Sequence, residues 1–320
     1  MMKLIPVKPR DAKKRSIKSI NGWVSIDKPS GLTATQVTAK VKHHVRAAKA
    51  GHAGTLDPLA TGVLPIALGE ATKTVSFVMG GRKRYTFTIG WGSERTTDDL
   101  DGEITRVSDY RPNKNEILKV LPQFTGNIDQ VPPKFSAVKI GGHRAYNLAR
   151  AGVEISLNKR CIFIEKFALL NLPSADLAVF EVMCGKGTYI RSLARDIGRR
   201  LNTAAHVKEL RRTHCGPFSE LHSISLESLK TLVHSAPPSA YLHSVETALD
   251  DIPAVVIDLS QADHLRHGRP IRVRTKEGCP CVDIDMLVDG DVLCAKAGGQ
   301  LVALARLTGD EIRAFRVFNI

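Results

Sequence analysis

The chain has 320 residues, of which 43% are hydrophobic and 24% are charged. This composition is typical of a folded protein of about two domains, and it excludes a disordered chain, a collagen-like repeat and a small disulfide scaffold. The 46 Lys and Arg residues outnumber the 32 Asp and Glu residues, so the formal net charge is +14. A basic balance of this size predicts a polyanionic partner such as nucleic acid.

No apolar run approaches the roughly 20 residues that a membrane span needs, so no membrane association is expected. The six cysteines are scattered, and the two nearest, Cys279 and Cys281, form a C-P-C pair rather than the C-x-x-C spacing of many metal sites. This pattern indicates free thiols in a reducing compartment and disfavours zinc. We therefore expect a cytoplasmic protein.

The first 20 residues contain seven Lys or Arg residues against one Asp, and they show no periodic apolar face. We interpret residues 1–20 as a mobile basic arm. A solvated tail without a dedicated role and an organelle-targeting segment remain the alternatives.

The globular part of the chain begins near residue 22. Residues 23–26 predict a short strand that ends in the turn residues 27–31. Valines at four-residue spacing over residues 35–46 predict a helix. Residues 51–62 contain three glycines and a proline, which exclude a regular helix or central strand and predict a loop held between ordered elements.

Apolar and polar residues alternate over residues 84–91, which predicts a half-buried strand. Residues 161–167 and 178–184 predict two further strands. A glycine turn then leads into a helix over about 188–201, with one apolar stripe and a second stripe of arginines at four-residue spacing. The arginine stripe consists of Arg191, Arg195 and Arg199.

The composition changes again towards the end of the chain. Residues 235–239 read Ser-Ala-Pro-Pro-Ser and are typical of a linker. The segment from about Pro253 is rich in predicted strands and contains one short helix, for which Ser260 is the expected N-cap and Gly268 the expected stop. We expect a small β domain there.

One segment invites comparison with nucleotide-binding motifs. Gly185–Thr188 follows a predicted strand and opens a helix, but it matches neither the phosphate-binding P-loop nor the dinucleotide fingerprint. The helix N-terminus and Lys186 can still attract an anion such as an RNA phosphate, with a plain turn as the alternative. No motif requires a metal or an organic cofactor, so we expect neither.

Asp57 is the strongest candidate for a catalytic residue. It lies in the glycine-rich loop directly before Pro58, which disfavours helical geometry at Asp57. A carboxylate in so basic a protein is expected to have an arginine partner, which would keep it ionised. An ionised carboxylate can act as a nucleophile but not as a general acid. The alternative is that Asp57 only caps or bridges a turn.

A highly specific motif surrounds this residue, the twelve-residue segment Gly51–Gly62, and shorter segments accompany it in a fixed order from about residue 22 to 217. Together they resemble the TruB family of tRNA pseudouridine synthases. The shorter segments are Ile26–Pro29, Gly69–Lys73, Lys83–Tyr85, Gly185–Arg191, Ala205–Val207 and Leu210–Arg212.

The resemblance implies roles for nine residues. Asp57 matches the catalytic aspartate that attacks the target uridine, at a base or sugar carbon that sequence leaves open. Tyr85 matches the tyrosine that stacks on the flipped base and is a candidate for moving a proton late in the reaction. Arg191 matches the arginine that pairs with the aspartate. The substrate-binding positions implied are His52, Tyr189 and Leu210, with Lys28, Lys73 and Lys186 as basic positions near the site.

The resemblance also implies the architecture: an α/β (α+β) fold with a mixed, largely antiparallel sheet, flanking helices and a small C-terminal β domain of the PUA-like RNA-binding kind. We expect a catalytic domain over residues 21–250, which includes an RNA-gripping insertion over about 130–152. The β domain would span 251–320.

The implied activity is the isomerisation of uridine 55 in the T-arm of tRNA to pseudouridine, by a monomer that flips the base and needs no obligatory protein partner. Two alternatives stay open. One is a non-catalytic RNA-binding or RNA-chaperone protein on the same scaffold, and the other is a guide-RNA-dependent pseudouridine synthase subunit.

Overall fold

The computed structural model describes residues 20–272 and 287–320. Residues 1–19, almost all of the expected basic arm, lie outside the described residues, as do Cys279 and Cys281. The strands are β1 (Gly22–Lys28), β2 (Ala50–His52), β3 (Thr61–Leu68), β4 (Lys83–Trp91), β5 (Ser93–Arg95), β6 (Ile104–Val107), β7 (Gly126–Gln130), β8 (Lys139–Ile140), β9 (His143–Arg144), β10 (Arg160–Ser174), β11 (Leu177–Cys184), β12 (Ala205–Cys215), β13 (Phe218–Ser219), β14 (Ala254–Val256), β15 (Ile271–Arg272), β16 (Val292–Ala297), β17 (Gln300–Thr308) and β18 (Glu311–Val317).

Seven α-helices accompany these strands in the described ranges, and none of them is both long and apolar enough to cross a membrane. Short 3-10 turns extend several of the helices. The helices are α1 (Ala34–Val45), α2 (Val75–Gly80), α3 (Lys114–Val120), α4 (Ala145–Arg150), α5 (Ile190–Arg200), α6 (Leu226–Ser235) and α7 (Leu259–Arg266).

A nine-stranded sheet forms the centre of the molecule. Seven of its strands follow the order β1-β3-β12-β4-β11-β10-β7, while β2 pairs with β3 and β13 with β12. All of these pairs are antiparallel except β12 with β3. The prediction of a mixed, largely antiparallel sheet with flanking helices is confirmed.

The alternation of residue types along β4 explains its central place. Tyr85, Phe87 and Ile89 are buried in one apolar cluster, together with residues of β11 and the apolar stripe of α5. Phe87 stacks with Phe180 of β11 at a centroid distance of 5.6 Å. Burying aromatic side chains of this size is a large source of stability, so β4 is a rigid platform for whatever its side chains present.

The glycine-rich loop is an irregular connection between β2 and β3. Its end is constrained by Gly62, whose φ of +97° lies in a region that side chains rarely adopt. A Cβ atom at this position would lie 2.2 Å from the main-chain oxygen of Arg212 on the neighbouring β12. Glycine at this position therefore lets the loop leave the sheet beside β12.

A second sheet of five strands, in the order β14-β16-β17-β18-β15, forms the C-terminal part. Leu301, Leu304 and Phe318 of this part share an apolar cluster with Trp23 of β1 and Val63 of β3. The expected small β unit is present and packs directly on the strands that flank the glycine-rich loop.

The helix in this unit starts earlier than expected. Asp258, not Ser260, is the N-cap of α7, because its carboxylate accepts a hydrogen bond from the main-chain nitrogen of Gln261 at 2.8 Å. Gly268 follows the helix with a φ of +76°, as expected of a stop.

The segment between β7 and β10 has more structure than a plain loop. It contains the hairpin of β8 and β9 followed by α4, and three of its side chains, Val138, Ala145 and Ile155, form a small apolar cluster of their own. The sequence analysis did not predict these elements, because each of them has six residues or fewer.

We predict that Gly62→Ala lowers the free energy of unfolding by about 3 kcal/mol, since the new methyl group meets main-chain atoms and the backbone is strained. Gly142→Ala is the matched control, because Gly142 also has a positive φ but has open space around it, so a loss of only about 1 kcal/mol is expected. Equal losses in urea denaturation of the two variants would contradict the close contact at Gly62.

Candidate active site

Asp57 lies in the loop between β2 and β3 with about a third of its side chain exposed. The loop is fixed by hydrogen bonds to the carbonyl oxygen of Pro58. This oxygen accepts from Lys28 Nζ at 3.1 Å and from the main-chain nitrogen of Gly31 at 2.8 Å. Ala60 closes a turn on the Asp57 carbonyl at 3.1 Å. The carboxylate therefore reaches solvent while its backbone is fixed.

Arg191, in the first turn of α5, is the partner that the sequence analysis expects for Asp57. Its Nε atom lies 2.9 Å from Asp57 Oδ2 and 3.6 Å from Asp99 Oδ2, and only 5% of its side chain is exposed. The rest of the guanidinium donates to the carbonyl oxygens of Thr97 at 2.8 Å and Phe135 at 3.1 Å. One buried cation thus joins three separate segments of the chain.

The sequence analysis missed the second acidic group at this cation. Asp99 is almost fully buried, and burial raises its pKa, while the Thr97 hydroxyl and Arg191 act in the opposite direction. The signal in the sequence is the acidic pair Asp98-Asp99, seven and eight residues after the end of β4, combined with the arginine stripe of α5. Neither the acidic pair nor the arginine stripe indicates its partner in the sequence, because only the fold brings the two together.

The arginine stripe of α5 is a row of ion pairs with the segment that begins at β5. Arg195 Nη1 lies 2.9 Å from Asp98 Oδ2, and Arg199 Nη2 lies 2.8 Å from Glu94 Oε2. Arg195 also donates to the Val131 carbonyl at 2.9 Å, at the start of the segment between β7 and β10. These contacts fix the surroundings of Arg191 on both sides.

Asp98 is strained as well as buried. Its φ of +60° is uncommon for a residue other than glycine, and the conformation is held by hydrogen bonds to the main chain of Arg95 and Val207, each 3.0 Å long. Burial raises the pKa of Asp98 from its ordinary value to about 6, against the charge of Arg195.

Tyr85 lies on β4, directly opposite Arg212 of β12 in the strand register. It is 9% exposed, and burial raises the pKa of its hydroxyl to about 12, so the phenol is neutral near pH 7. Leu210, also on β12, is 7% exposed and belongs to the same apolar cluster as Tyr85 and Leu56 of the loop. These residues form an apolar wall that includes Leu56, the residue directly before Asp57.

Tyr189 directly precedes α5 and is fixed by Gln130 at the end of β7. The Gln130 side chain accepts from the main-chain nitrogen of Tyr189 at 2.8 Å and donates to its carbonyl at 3.1 Å. Burial raises the pKa of the Tyr189 hydroxyl, and the side chain packs against the apolar cluster of Val138, Ala145 and Ile155. Tyr189 therefore connects α5 with the segment between β7 and β10.

His52 ends β2 immediately before the loop. Its Nδ1 atom is buried without a hydrogen-bond partner among the described residues. Burial lowers the pKa of His52, and the charge of Arg212 lowers it further, so the ring is neutral near pH 7.

The three lysines expected near the site lie in different surroundings. Lys28 is fully buried and donates to the carbonyls of Pro29, Leu32 and Pro58, so it supports the loop from inside. Burial lowers the pKa of its ammonium to about 8.

Lys73 is also engaged elsewhere. It donates to Glu70 at 2.6 Å and to the carbonyl of Val317 in β18 at 2.7 Å, so it connects the large sheet to the C-terminal one. Lys186 is exposed in the turn before α5.

No cluster of three or more His, Cys, Asp or Glu side chains suited to a metal occurs within residues 20–272 and 287–320. The site described above consists of one reachable carboxylate, a buried guanidinium, a neutral phenol and an apolar wall. This arrangement is suited to nucleophilic chemistry on a neutral, planar ring.

The raised pKa of Asp98 predicts a pH dependence of stability. Between the ordinary aspartate pKa near 4 and the folded-state value of about 6, the folded protein retains a proton that the unfolded chain releases. The stabilising contribution of Asp98 is therefore fully present below about pH 4 and is lost as the pH rises through about 6.

We measure the free energy of unfolding by urea denaturation and subtract the value of Asp98→Asn from that of wild type. This difference should be larger at pH 4.5 than at pH 7. The exposed Asp109 provides the control, since wild type relative to Asp109→Asn should change little between the two pH values. A difference for Asp98→Asn that is independent of pH would contradict the raised pKa.

Comparison with known proteins identifies the fold and the family. The model of the TruB family pseudouridylate synthase N-terminal domain matches residues 42–190, and that of the tRNA pseudouridylate synthase B C-terminal domain matches residues 191–250. A protein named tRNA pseudouridine synthase B from Bradyrhizobium diazoefficiens is 49% identical, over 96% of this chain and 88% of its own.

A second protein of that name, from Rhodospirillum rubrum, is 46% identical over 97% of this chain and 100% of its own. Among solved structures, one described as an H/ACA RNP bound to a substrate RNA containing 2'-deoxyuridine has a TM-score of 0.71 at 26% identity. That match covers 93% of this chain and 85% of the other. By these matches and by its fold, the chain belongs to the TruB family of pseudouridylate synthases.

Proposed function

We propose that the protein is a tRNA pseudouridine synthase that isomerises uridine 55 in the T-arm. The observation that carries the proposal is the pair of Asp57 and Arg191, in which a solvent-reaching carboxylate is held at 2.9 Å by a buried guanidinium. The names of the relatives and the net charge of +14 support tRNA as the substrate. The T-arm and position 55 rest on the resemblance of the motifs.

In the proposed reaction, the ionised Asp57 carboxylate attacks the target nucleoside. The bond between the sugar and the ring nitrogen breaks, the uracil turns, and a new bond joins the same sugar carbon to C5. Where the carboxylate attacked the sugar carbon, its bond to that carbon breaks as the C5 bond forms; where it added to the ring, it leaves afterwards. The proton at C5 is then lost and the freed ring nitrogen takes up a proton. The reaction is an isomerisation in which every atom is conserved, and it applies equally to attack on the base or on the sugar.

Arg191 has two functions in this proposal. Its charge pairs with the Asp57 carboxylate at 2.9 Å and orients it for nucleophilic attack. Its remaining donors hold Thr97 and Phe135, so the nucleophile is fixed relative to the walls of the site. Preorganisation of this kind reduces the cost of reaching the reactive geometry.

The target base must leave the RNA stack before attack, at a cost of about a few kcal/mol. We propose that Tyr85 stacks on the flipped uracil and that Leu210 and Tyr189 line its pocket. Stacking on an aromatic side chain is worth about 1–3 kcal/mol, which offsets much of that cost. The neutral phenol is also a candidate to relay the proton lost from C5 after the ring has turned, its oxygen taking up that proton as its own hydroxyl proton passes to another acceptor.

The remaining binding energy is proposed to come from contacts with the RNA backbone. Exposed Lys186 lies beside the site, and Lys134, Lys139 and Arg144 lie in the segment between β7 and β10, which we propose to be the RNA-gripping insertion. We further propose that residues 251–320 form an RNA-binding domain and that residues 21–250 are the catalytic domain. Phosphate contacts of this kind make affinity fall with salt.

Asp57→Asn is predicted to abolish turnover while the affinity for a T-arm stem-loop stays within a few-fold, because the amide keeps the shape of the carboxylate but is not a nucleophile. The measurements are base-resolved mapping of pseudouridine and equilibrium binding. Asp101→Asn, at an exposed aspartate near the site, serves as the control and is expected to remain active. Comparable rates for Asp57→Asn and wild type would refute the mechanism.

Arg191→Ala is predicted to lose activity and about 3 kcal/mol of stability, because Asp99 would be left buried without its cation. Urea denaturation and single-turnover kinetics measure the two effects. Arg200→Ala, at the exposed end of the same helix, controls for a general weakening of α5. Wild-type stability together with full activity would exclude the proposed role of Arg191.

The similarity to a ribonucleoprotein structure keeps one alternative function open, that of a subunit which needs a guide RNA and partner proteins. We propose instead that the protein acts alone, as a monomer in the cytoplasm. The purified protein should convert a bare T-arm stem-loop without added RNA, protein or cofactor. Conversion only after addition of a cell extract would favour the alternative, and binding without conversion would favour a non-catalytic RNA chaperone.

A further inference from the structure

Arg212 is a buried cation that the proposed reaction leaves without a role. Its side chain is 1% exposed on β12 and is among the largest fully buried side chains of the described residues. Its neighbour Arg211 forms an ion pair with Asp27, but no carboxylate pairs with Arg212 in the described ranges. An unpaired buried guanidinium is costly, so its contacts must be specific.

Two of these contacts are main-chain oxygens on either side of the catalytic loop. Nε donates to the Val63 carbonyl at 2.8 Å, and Nη2 donates to the Gly54 carbonyl at 3.0 Å. Gly54 lies three residues before Asp57 and Val63 lies six residues after it. The guanidinium therefore bridges the two ends of the loop that carries Asp57.

The glycines of the loop permit this close approach. A Cβ atom on Gly54, which has a φ of +90°, would lie 3.2 Å from Nη1 of Arg212. On the other side, Gly62 packs against the main chain of Arg212 itself. The conformation of the loop and the position of the guanidinium thus depend on each other.

The third neighbour is Tyr85, the residue directly opposite Arg212 in the pairing of β4 and β12, so the two side chains project from the same face of the sheet. Both side chains are buried, and the charge of the guanidinium opposes the effect of burial on the pKa of the Tyr85 hydroxyl. Because a guanidinium only donates, it can support this hydroxyl only through the hydroxyl oxygen, which leaves the hydroxyl proton available for another partner.

We propose that the Tyr85 hydroxyl is the third acceptor of Arg212, which is thereby a positioning residue that sets this hydroxyl at a fixed place and orientation relative to Asp57. The inference rests on the proposed function, since it assigns the Tyr85 hydroxyl a part in the reaction after the attack by Asp57. A planar fork of donors is needed, because the three acceptors belong to two different strands and one loop. Lysine at this position keeps the charge but carries its donors on a single nitrogen, so it cannot reach acceptors that are spread around a guanidinium.

The first experiment compares Arg212→Lys with wild type in single-turnover pseudouridine formation and in binding of the same T-arm stem-loop. We expect the rate constant to fall about tenfold or more while the Kd stays within about threefold, since misplacement of a reacting group affects chemistry before binding. Arg211→Lys is the matched control and should keep its rate. An unchanged rate in Arg212→Lys would overturn the inference.

The second experiment asks whether Arg212 acts through the phenol. In a Tyr85→Phe background, Arg212→Lys should produce little additional slowing, because the group that Arg212 positions is already absent. If Arg212→Lys slows the Tyr85→Phe variant by the same factor as it slows wild type, then Arg212 only supports the fold. The failure of wild type to form pseudouridine would instead overturn the proposed function.

A third measurement leaves Arg212 intact and stays informative if Arg212→Lys does not fold. Tyr85→Phe removes one acceptor from the buried guanidinium, so its Tm should lie below that of wild type by a measurable shift. The control is Tyr110→Phe, at an exposed tyrosine of the same chain, which should shift the Tm less. A Tm for Tyr85→Phe equal to that of wild type would overturn the contact between the hydroxyl and Arg212.

Discussion

The contact between the Arg191 guanidinium and Asp57 is the interaction on which the rest of the site depends. It is the point where the loop after β2, helix α5, the segment around Thr97 and the start of the segment between β7 and β10 meet. Each of these parts is irregular or short and could take other conformations alone. A buried cation with several acceptors is a strong constraint, because every acceptor that moves away leaves part of its charge uncompensated.

The large sheet provides the frame for this contact. β4 and β12 carry Tyr85, Leu210 and Arg212 on adjacent strands, and β3 carries the end of the glycine-rich loop past them. The C-terminal sheet then packs on β1 and β3 from the other side. Rigid strands therefore hold the loop on two sides, so that the backbone of Asp57 keeps a fixed position.

Much of this arrangement could be predicted from the sequence, because regular elements leave a period in it. The alternation over residues 84–91 agrees with β4 within one residue, and the helix predicted over about 188–201 contains α5. The partner of Asp57 was also predictable, since an acidic residue in a basic protein needs a cation. The resemblance of the motifs placed Arg191 in that role.

What the sequence did not reveal depends on contacts between distant segments. Asp98 and Asp99 lie in an irregular connection, and their partners on α5 have the spacing of an ordinary solvated face. From the sequence, Lys28 would be expected at the surface, although it is fully buried. The residues next to it in the chain do not indicate that three main-chain oxygens accept hydrogen bonds from its ammonium group. Burial of a charge is decided by the fold as a whole.

The hydrogen bond from Arg191 to the Phe135 carbonyl has a consequence for motion. The segment between β7 and β10 cannot swing outward without either breaking this bond or drawing on the same guanidinium that holds Asp57. Ser192 and Arg195 add two further bonds to the Val131 carbonyl at the root of the segment. The movement of this segment and the position of the Asp57 carboxylate are thus mechanically linked through a single side chain.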